Sequence, residues 1–255
     1  MACTPSDRRR RPGFTLVELL VTVAVIAVLV AIVLPAASGA RRQAVAVADL
    51  ANLRGLAVAH LSYMSMNEER FVDVGLPHGG AGSPGDSFVE RLRPWFGGSQ
   101  VTLRSPLDES PHWPVDAGGD GIPVTGQGTP AFRSTSYGMN NYLSRSYSPA
   151  VALDGVGAGV DRLQQVERPD RVVCFLLMAE RGAYASADHP HVESWPSAAP
   201  ARIAATQVQV NAIDRSKPQA SSRSNYSFID GHVAAMQFED VYRDMHENRF
   251  DPALR

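Results

Sequence analysis

The sequence predicts an α+β protein in which a long N-terminal α-helix, membrane-spanning in its first half, packs on an antiparallel β-sheet. Three observations predict it. An apolar run follows four arginines near the start of the chain. That run gives way to a stripe of apolar residues at helical period. The second half of the chain then holds short β-branched and aromatic runs, two of them joined by Asp230-Gly231.

From Phe14 to Leu34 the only charge is Glu18, and the only other polar residues are Thr15 and Thr22. As a helix this run is about 30 Å long, the thickness of a bilayer's hydrocarbon core. No face of it is polar, so it is not a helix that lies on a membrane surface. Arg8 to Arg11 hold the leading end in the cytoplasm, and the chain beyond Pro35 faces outward. Pro35 removes one backbone donor and is expected to kink the helix. Glu18 lies one turn inside the apolar run, and a carboxylate there is costly and marks a function. The run is read as offering it no partner, which leaves an amine made by cleavage, a second subunit or a lipid headgroup.

The stretch Gly13-Phe14-Thr15-Leu16-Val17-Glu18-Leu19-Leu20 behind a basic leader resembles the class III signal of type IV pilins and type II secretion pseudopilins. The resemblance implies cleavage by a prepilin peptidase between Gly13 and Phe14, N-methylation of Phe14 and guidance of assembly by Glu18. It also implies other pilin-like subunits and inner-membrane lipid as partners, a pilin-like fold, and no enzymatic activity of the chain's own. Localisation would be single-pass in the inner membrane, with a cytoplasmic N-terminus and a periplasmic head, and in a filament after assembly. Pro35 sits where pilin helices often carry a proline.

The expected organisation is a leader over 1–13, a transmembrane or filament-core helix over 14–35, its amphipathic continuation over 36–68, and a globular head over 69–255. Leu50, Leu53, Ala57, Leu61 and Met64 form the stripe of the continuation, with Asp49, Asn52, Arg54 and Ser62 read as lying off it. His60 is read as partly exposed. Between Gly75 and Pro130 the density of glycine and proline predicts loop, apart from a short helix around Ser87 to Trp95 and a short strand at Val101 to Leu103. Later strands are expected at Ser134 to Asn140, at Arg171 to Met178 in the sheet centre, and more weakly at Arg202 to Val210. Asp230-Gly231 predicts a tight hairpin with both turn residues at positive φ, and a helix over Phe238 to His246 follows.

Ser136-Tyr137-Gly138-Met139-Asn140, then a strand ending in Ala179-Glu180, then Phe228-Ile229-Asp230-Gly231-His232 resemble the pseudopilin-like proteins of planctomycete-type bacteria. Their carboxy-terminal module carries a histidine, nine residues and then Asp-Gly. Here Ala220 stands at the histidine's position.

Charge and cysteines bound the function further. Removing four arginines and Asp7 with the leader takes 24 basic and 26 acidic residues to 20 and 25. That acidic balance argues against nucleic acid as a partner. Cys3 would leave with the leader, so Cys174 would stand alone, buried in its apolar run, and no disulfide framework forms. His189-Pro190-His191 with Asp188 and Glu193 reads as a polar loop, because Pro190 forbids the helical spacing of a zinc pair and no third ligand is near. Asp116 to Gly121 lacks the ligands of an EF-hand. Some secretion pseudopilins hold calcium in a carboxy-terminal loop, so calcium stays open here with no ligands assigned, and no other cofactor or metal is expected. No catalytic motif occurs. The rival readings are a secreted binding protein cut near Ala36-Ala37-Ser38-Gly39-Ala40 and a membrane-tethered extracytoplasmic protein.

Overall fold

The computed structural model describes residues 15–76, 85, 87–96, 103–125, 131–149 and 159–254, with backbone alone at 35, 36 and 38. The chain divides into two units, Met1–Gln43 and Ala44–Arg255, and the boundary falls inside one helix, α1 (Leu16–Met66). Gly13, Phe14 and most of the expected strand at Val101 to Leu103 lie outside the described residues.

In the first unit every side chain from Leu16 to Leu34 is exposed, and nearly all are apolar. Among the described residues α1 is the one helix long and apolar enough to cross a membrane. Helical backbone continues through Pro35 and Gly39. Both residues disfavour helix in water; for Pro35, at the end of the apolar run, a segment with no water to satisfy its peptide groups has no other way to pair them.

In the second unit the rest of α1 lies on an antiparallel sheet of four strands in sequential order: β1 (Tyr137–Met139), β2 (Val173–Leu177), β3 (Arg223–Phe228) and β4 (Val233–Gln237). Leu53, Leu56 and Met64 of α1 pack with Phe71, Cys174, Phe175 and Leu177. Val173, Leu176 and Met178 face the other way, into a second cluster with Trp195, Tyr226, Phe238 and Phe250. A register shift between Val173 and Phe175 lets Cys174 and Phe175, adjacent in sequence, face the same cluster. β2 is buried along its whole length and central, as its apolar run predicts.

On the outward face of α1 in this unit, Val47 and Val58 are 53% and 47% exposed, and Ala48, Ala51 and the charged Arg54 are exposed between them. The helix ends where Glu68 and Glu69 take positive φ and the Glu69 amide donates to Met64 O at 2.9 Å, a left-handed cap that turns the chain back into the head.

α2 (Phe88–Leu92) starts at Ser87, whose hydroxyl caps Val89. Three elements differ from expectation. Arg202 to Ala204 is helix, part of α3 (Pro200–Ala204), because Pro200 suits a first turn that needs no donor. Of the strand expected there, Val208 alone makes a β-bridge, to Met178. The last helix, α4 (Phe238–Val241), is one turn long, since Tyr242 is already extended. The chain does reverse between β3 and β4, but only Gly231 has positive φ, at 90°. Gly231 N donates to Phe228 O at 2.9 Å and Phe228 N to His232 O at 3.0 Å, the bond pattern of a three-residue loop rather than a two-residue one.

Outside α2 the described part of the Gly/Pro-rich middle is loop, yet it is packed, and Arg133, just beyond it, ties part of it down. Arg133 is fully buried and donates to the Asp108 carboxylate at 2.7 Å and to the carbonyls of Ala179, Ala185, Met178 and Ser136. Asp108 also accepts from Trp113 Nε1 at 3.1 Å. Burial lowers the pKa of Arg133 against the pull of Asp108, but five acceptors around one guanidinium meet the condition for keeping a buried charge.

Candidate functional site

Helix α1 begins at Leu16, so Thr15 is its N-cap and Glu18 the third helical residue. The Thr15 amide donates to Glu18 Oε2 at 2.9 Å, the Thr15 hydroxyl to the same oxygen at 2.7 Å, and the Glu18 amide to Thr15 Oγ1 at 3.2 Å. This is a reciprocal capping box, which satisfies two amides that a helix start otherwise leaves open. It corrects the reading that Glu18 lacks a partner within its own run. The signal was legible, since Thr15-Leu16-Val17-Glu18 has the spacing of such a box. Thr22, the other polar side chain of the span, donates to Leu19 O at 2.8 Å. All three polar side chains, Thr15, Glu18 and Thr22, therefore find local partners, which an apolar solvent requires. Among the described residues, Oε2 takes every bond that reaches the Glu18 carboxylate.

The head holds three polar clusters that could be mistaken for chemistry. Asp49, read as lying off the stripe, is fully buried. Asn225 Nδ2 and the Tyr137 hydroxyl each donate to it at 2.8 Å, and Ser105 donates as well. Burial raises its pKa, and the bonds from Ser105, Asn225 and Tyr137 oppose that rise. Its position was in the sequence: Asp49, Leu53, Leu56, His60 and Met64 follow one another at steps of three and four.

His60 is also buried, contrary to its reading as partly exposed, because this same spacing turns it inward. The Val72 amide donates to its Nε2 at 3.2 Å, and its Nδ1 lies 3.4 Å from Cys174 Sγ. An Nε2 that accepts carries no proton, so the proton is on Nδ1 and points at sulfur. The imidazole has no lone pair left to take a proton from the thiol. Burial alone takes the His60 pKa down to about 3 and drives that of Cys174 far up. A thiolate–imidazolium nucleophile needs the reverse.

Asp188 and His189 are buried rather than part of an open polar loop. The Asp188 carboxylate accepts from the amides of Gly75, Leu76 and Phe88 at 3.1–3.3 Å, and His189 Nδ1 lies 2.9 Å away. His191 pairs with Glu193 at 2.6 Å. Among the described residues no three His, Cys, Asp or Glu side chains gather where they could hold a metal ion. At the hairpin, Asp230 accepts from the His232 amide at 3.0 Å, and the His232 ring stacks on Phe228. Arg54 of α1 donates to Gly231 O, so Asp230 and Gly231 shape a turn that leans on the helix.

Residues 8–34 match the family described as the prokaryotic N-terminal methylation motif. The match covers the arginines, Gly13, Phe14, the Thr15–Glu18 box and the apolar run. No curated protein and no solved structure matches the chain. An N-terminal methylation motif on an apolar helix fits membrane anchoring, processing by a prepilin peptidase and assembly with other pilin subunits. The chain thus carries a prepilin-type N-terminal methylation motif, similar to that of type IV pilin-like proteins, at the start of an α+β fold.

Proposed function

We propose that the chain is a pseudopilin or minor pilin, a subunit of a type IV pilus or of a secretion-type pseudopilus. In this reading a prepilin peptidase cuts after Gly13, Phe14 is methylated, and Glu18 guides entry into a filament. Before assembly the subunit crosses the inner membrane once, arginines inside and head outside. Pro35 bends the helix between its filament-core part and its head-bearing part. The chain's work is mechanical, and the chemistry is done to it by its peptidase.

The observation that carries the reading is the methylation motif at 8–34 on a helix that continues without a break into the head. An ordinary signal peptide needs no glutamate and no helix beyond its cleavage site. The test is mass spectrometry of the mature N-terminus. A start at N-methyl-Phe14 is expected. A start near Ala40 would make the chain a secreted protein, and an intact leader would make it a simple membrane-tethered one.

A further inference from the structure

The sheet has two edge strands, and the chain treats them differently. At β1 the outward peptide groups find partners in the chain's own loops. Met139 N donates to Asp188 O at 2.9 Å, and Tyr137 N donates to the Thr135 hydroxyl, which donates back to Tyr137 O. At β4 the bonds from Phe228 N to His232 O and from Phe238 N to Ser222 O fix the phase of the ladder. Ala234 and Met236 therefore turn their peptide groups to β3, and Val233, Ala235 and Gln237 turn theirs outward. Among the described residues no bond reaches these outward groups from beyond β4. All five residues of the strand are half-exposed. It has no charge, no proline and no break in register, the devices that keep an open edge from pairing.

We propose that β4 is a self-pairing surface: the β4 of a second copy of this chain adds to it antiparallel, about a two-fold axis at Ala235. The outward groups set the register. Ala235 exchanges bonds with Ala235 of the second copy and Val233 with Gln237 of the second copy, so every outward group of both strands is matched. No charged side chain lies within the paired strands. Beyond their ends the same register sets Gly231 against Glu239 of the second copy. Arg54 is exposed and donates to Gly231 O, and neither Arg54 nor Glu239 is ion-paired among the described residues. Each copy thus brings a guanidinium beside the other's carboxylate. Asp230 falls opposite Asp240, but both are exposed, where charge pairs count for little. The closed edge at β1 cannot stand in for the second β4, so copies do not join edge to edge into a longer sheet. The pair is isologous: it occupies the open edge of both copies and stops at two. It needs neither cleavage nor a filament, so it stands or falls apart from the assembly reading.

The experiment uses the full chain in detergent micelles with Cys3→Ser as background, since Cys174 is buried. Ala235→Cys sets two thiols on Cα atoms about 5.5 Å apart across a bonded pair, within the span of a disulfide. Val233→Cys leaves its two copies about 14 Å apart, too far for one. Mild oxidation is expected to crosslink Ala235→Cys into dimers, to leave Val233→Cys uncrosslinked, and to join Val233→Cys chains to Gln237→Cys chains when the two are mixed. Ala235→Pro removes an amide that bonds nothing in its own chain, a place where an edge strand tolerates proline. It should keep the native melt and raise the dissociation constant of the dimer, read by sedimentation, on the order of tenfold or more.

A native chain that sediments as a monomer at every concentration would overturn the proposal. So would equal crosslinking of Ala235→Cys and Val233→Cys, which would mark chance collision, or a folded Ala235→Pro chain that dimerises as the native one does, which would place the contact elsewhere. Should Ala235→Pro fail to fold, the crosslinking pattern decides alone.

Discussion

Asp49 joins a helix, a loop and two strands through one carboxylate: Ser105, Tyr137 and Asn225 all donate to it. Its cost and its usefulness come from the same burial. No cation pairs with it among these contacts, and burial raises its pKa above the ordinary 3.8. A carboxyl that holds its proton more tightly in the folded than in the unfolded state adds stability as pH falls. Its contribution is full below 3.8 and is lost as pH rises through the folded value. Replacing it by asparagine fixes the site neutral but points an amide donor at a donor. Asp49→Asn should therefore cost about 1–3 kcal/mol at neutral pH. That cost should grow as pH falls toward 4. Urea melts of both proteins across pH 4–7 check this, and the difference between them cancels all other titrating groups. A constant or shrinking gap would mean that Asp49 is not held near its proton by burial.

At the scale of elements, what could be read in advance follows how local each signal is. β2 was legible because eight apolar residues in a row, Val172 to Ala179, have few other fates. The β3–β4 reversal was legible from Asp230-Gly231, but its loop length was not, since that depends on Arg54 and Leu61 of α1. A Cβ on Gly231 would lie 2.7 Å from Leu61 Cδ1, at a φ of 90°. Gly231→Ala should thus destabilise the head by about 1–3 kcal/mol, and a second change, Leu61→Ala, should recover part of the loss by making room. Thermal melts of the single and double variants test it, and full additivity would place the strain elsewhere. α1 was legible as a helix from its period, and the spacing puts Asp49 and His60 on the face of Leu53, Leu56 and Met64, but what the two bond there was not legible. A polar residue on a helix reads as solvent-facing until its partners are known. The partners of Asp49 lie 56, 88 and 176 residues away. Thr15 and Glu18, three apart, needed no distant partner, and the spacing of the pair was there to be seen.

For the whole molecule, the placement of α1 decides what can be cut away. A chain starting near Arg41 keeps Asp49, Leu53, Leu56, His60 and Met64, all buried in the head. One starting near Val72 loses them, and each buried apolar side chain among them is worth about 1.5–3 kcal/mol. The longer chain should be soluble with a cooperative melt, and the shorter should aggregate. An equal melt from both would show that the head does not need the helix.

The staple around Arg133 has a further consequence, in the time domain. Its guanidinium is held by one carboxylate and four carbonyls, which come from residues on both sides of β2 in the chain. Trypsin must take an arginine side chain into a deep pocket, and this one is 1% exposed. The bond after Arg133 should therefore survive in the native protein long after those following the exposed Arg91 and Arg181 are cut. It should become cleavable only when the sheet itself opens. The rate at which that one peptide appears would then count global unfolding events under native conditions, which makes an arginine in a glycine-rich loop a clock for the whole head.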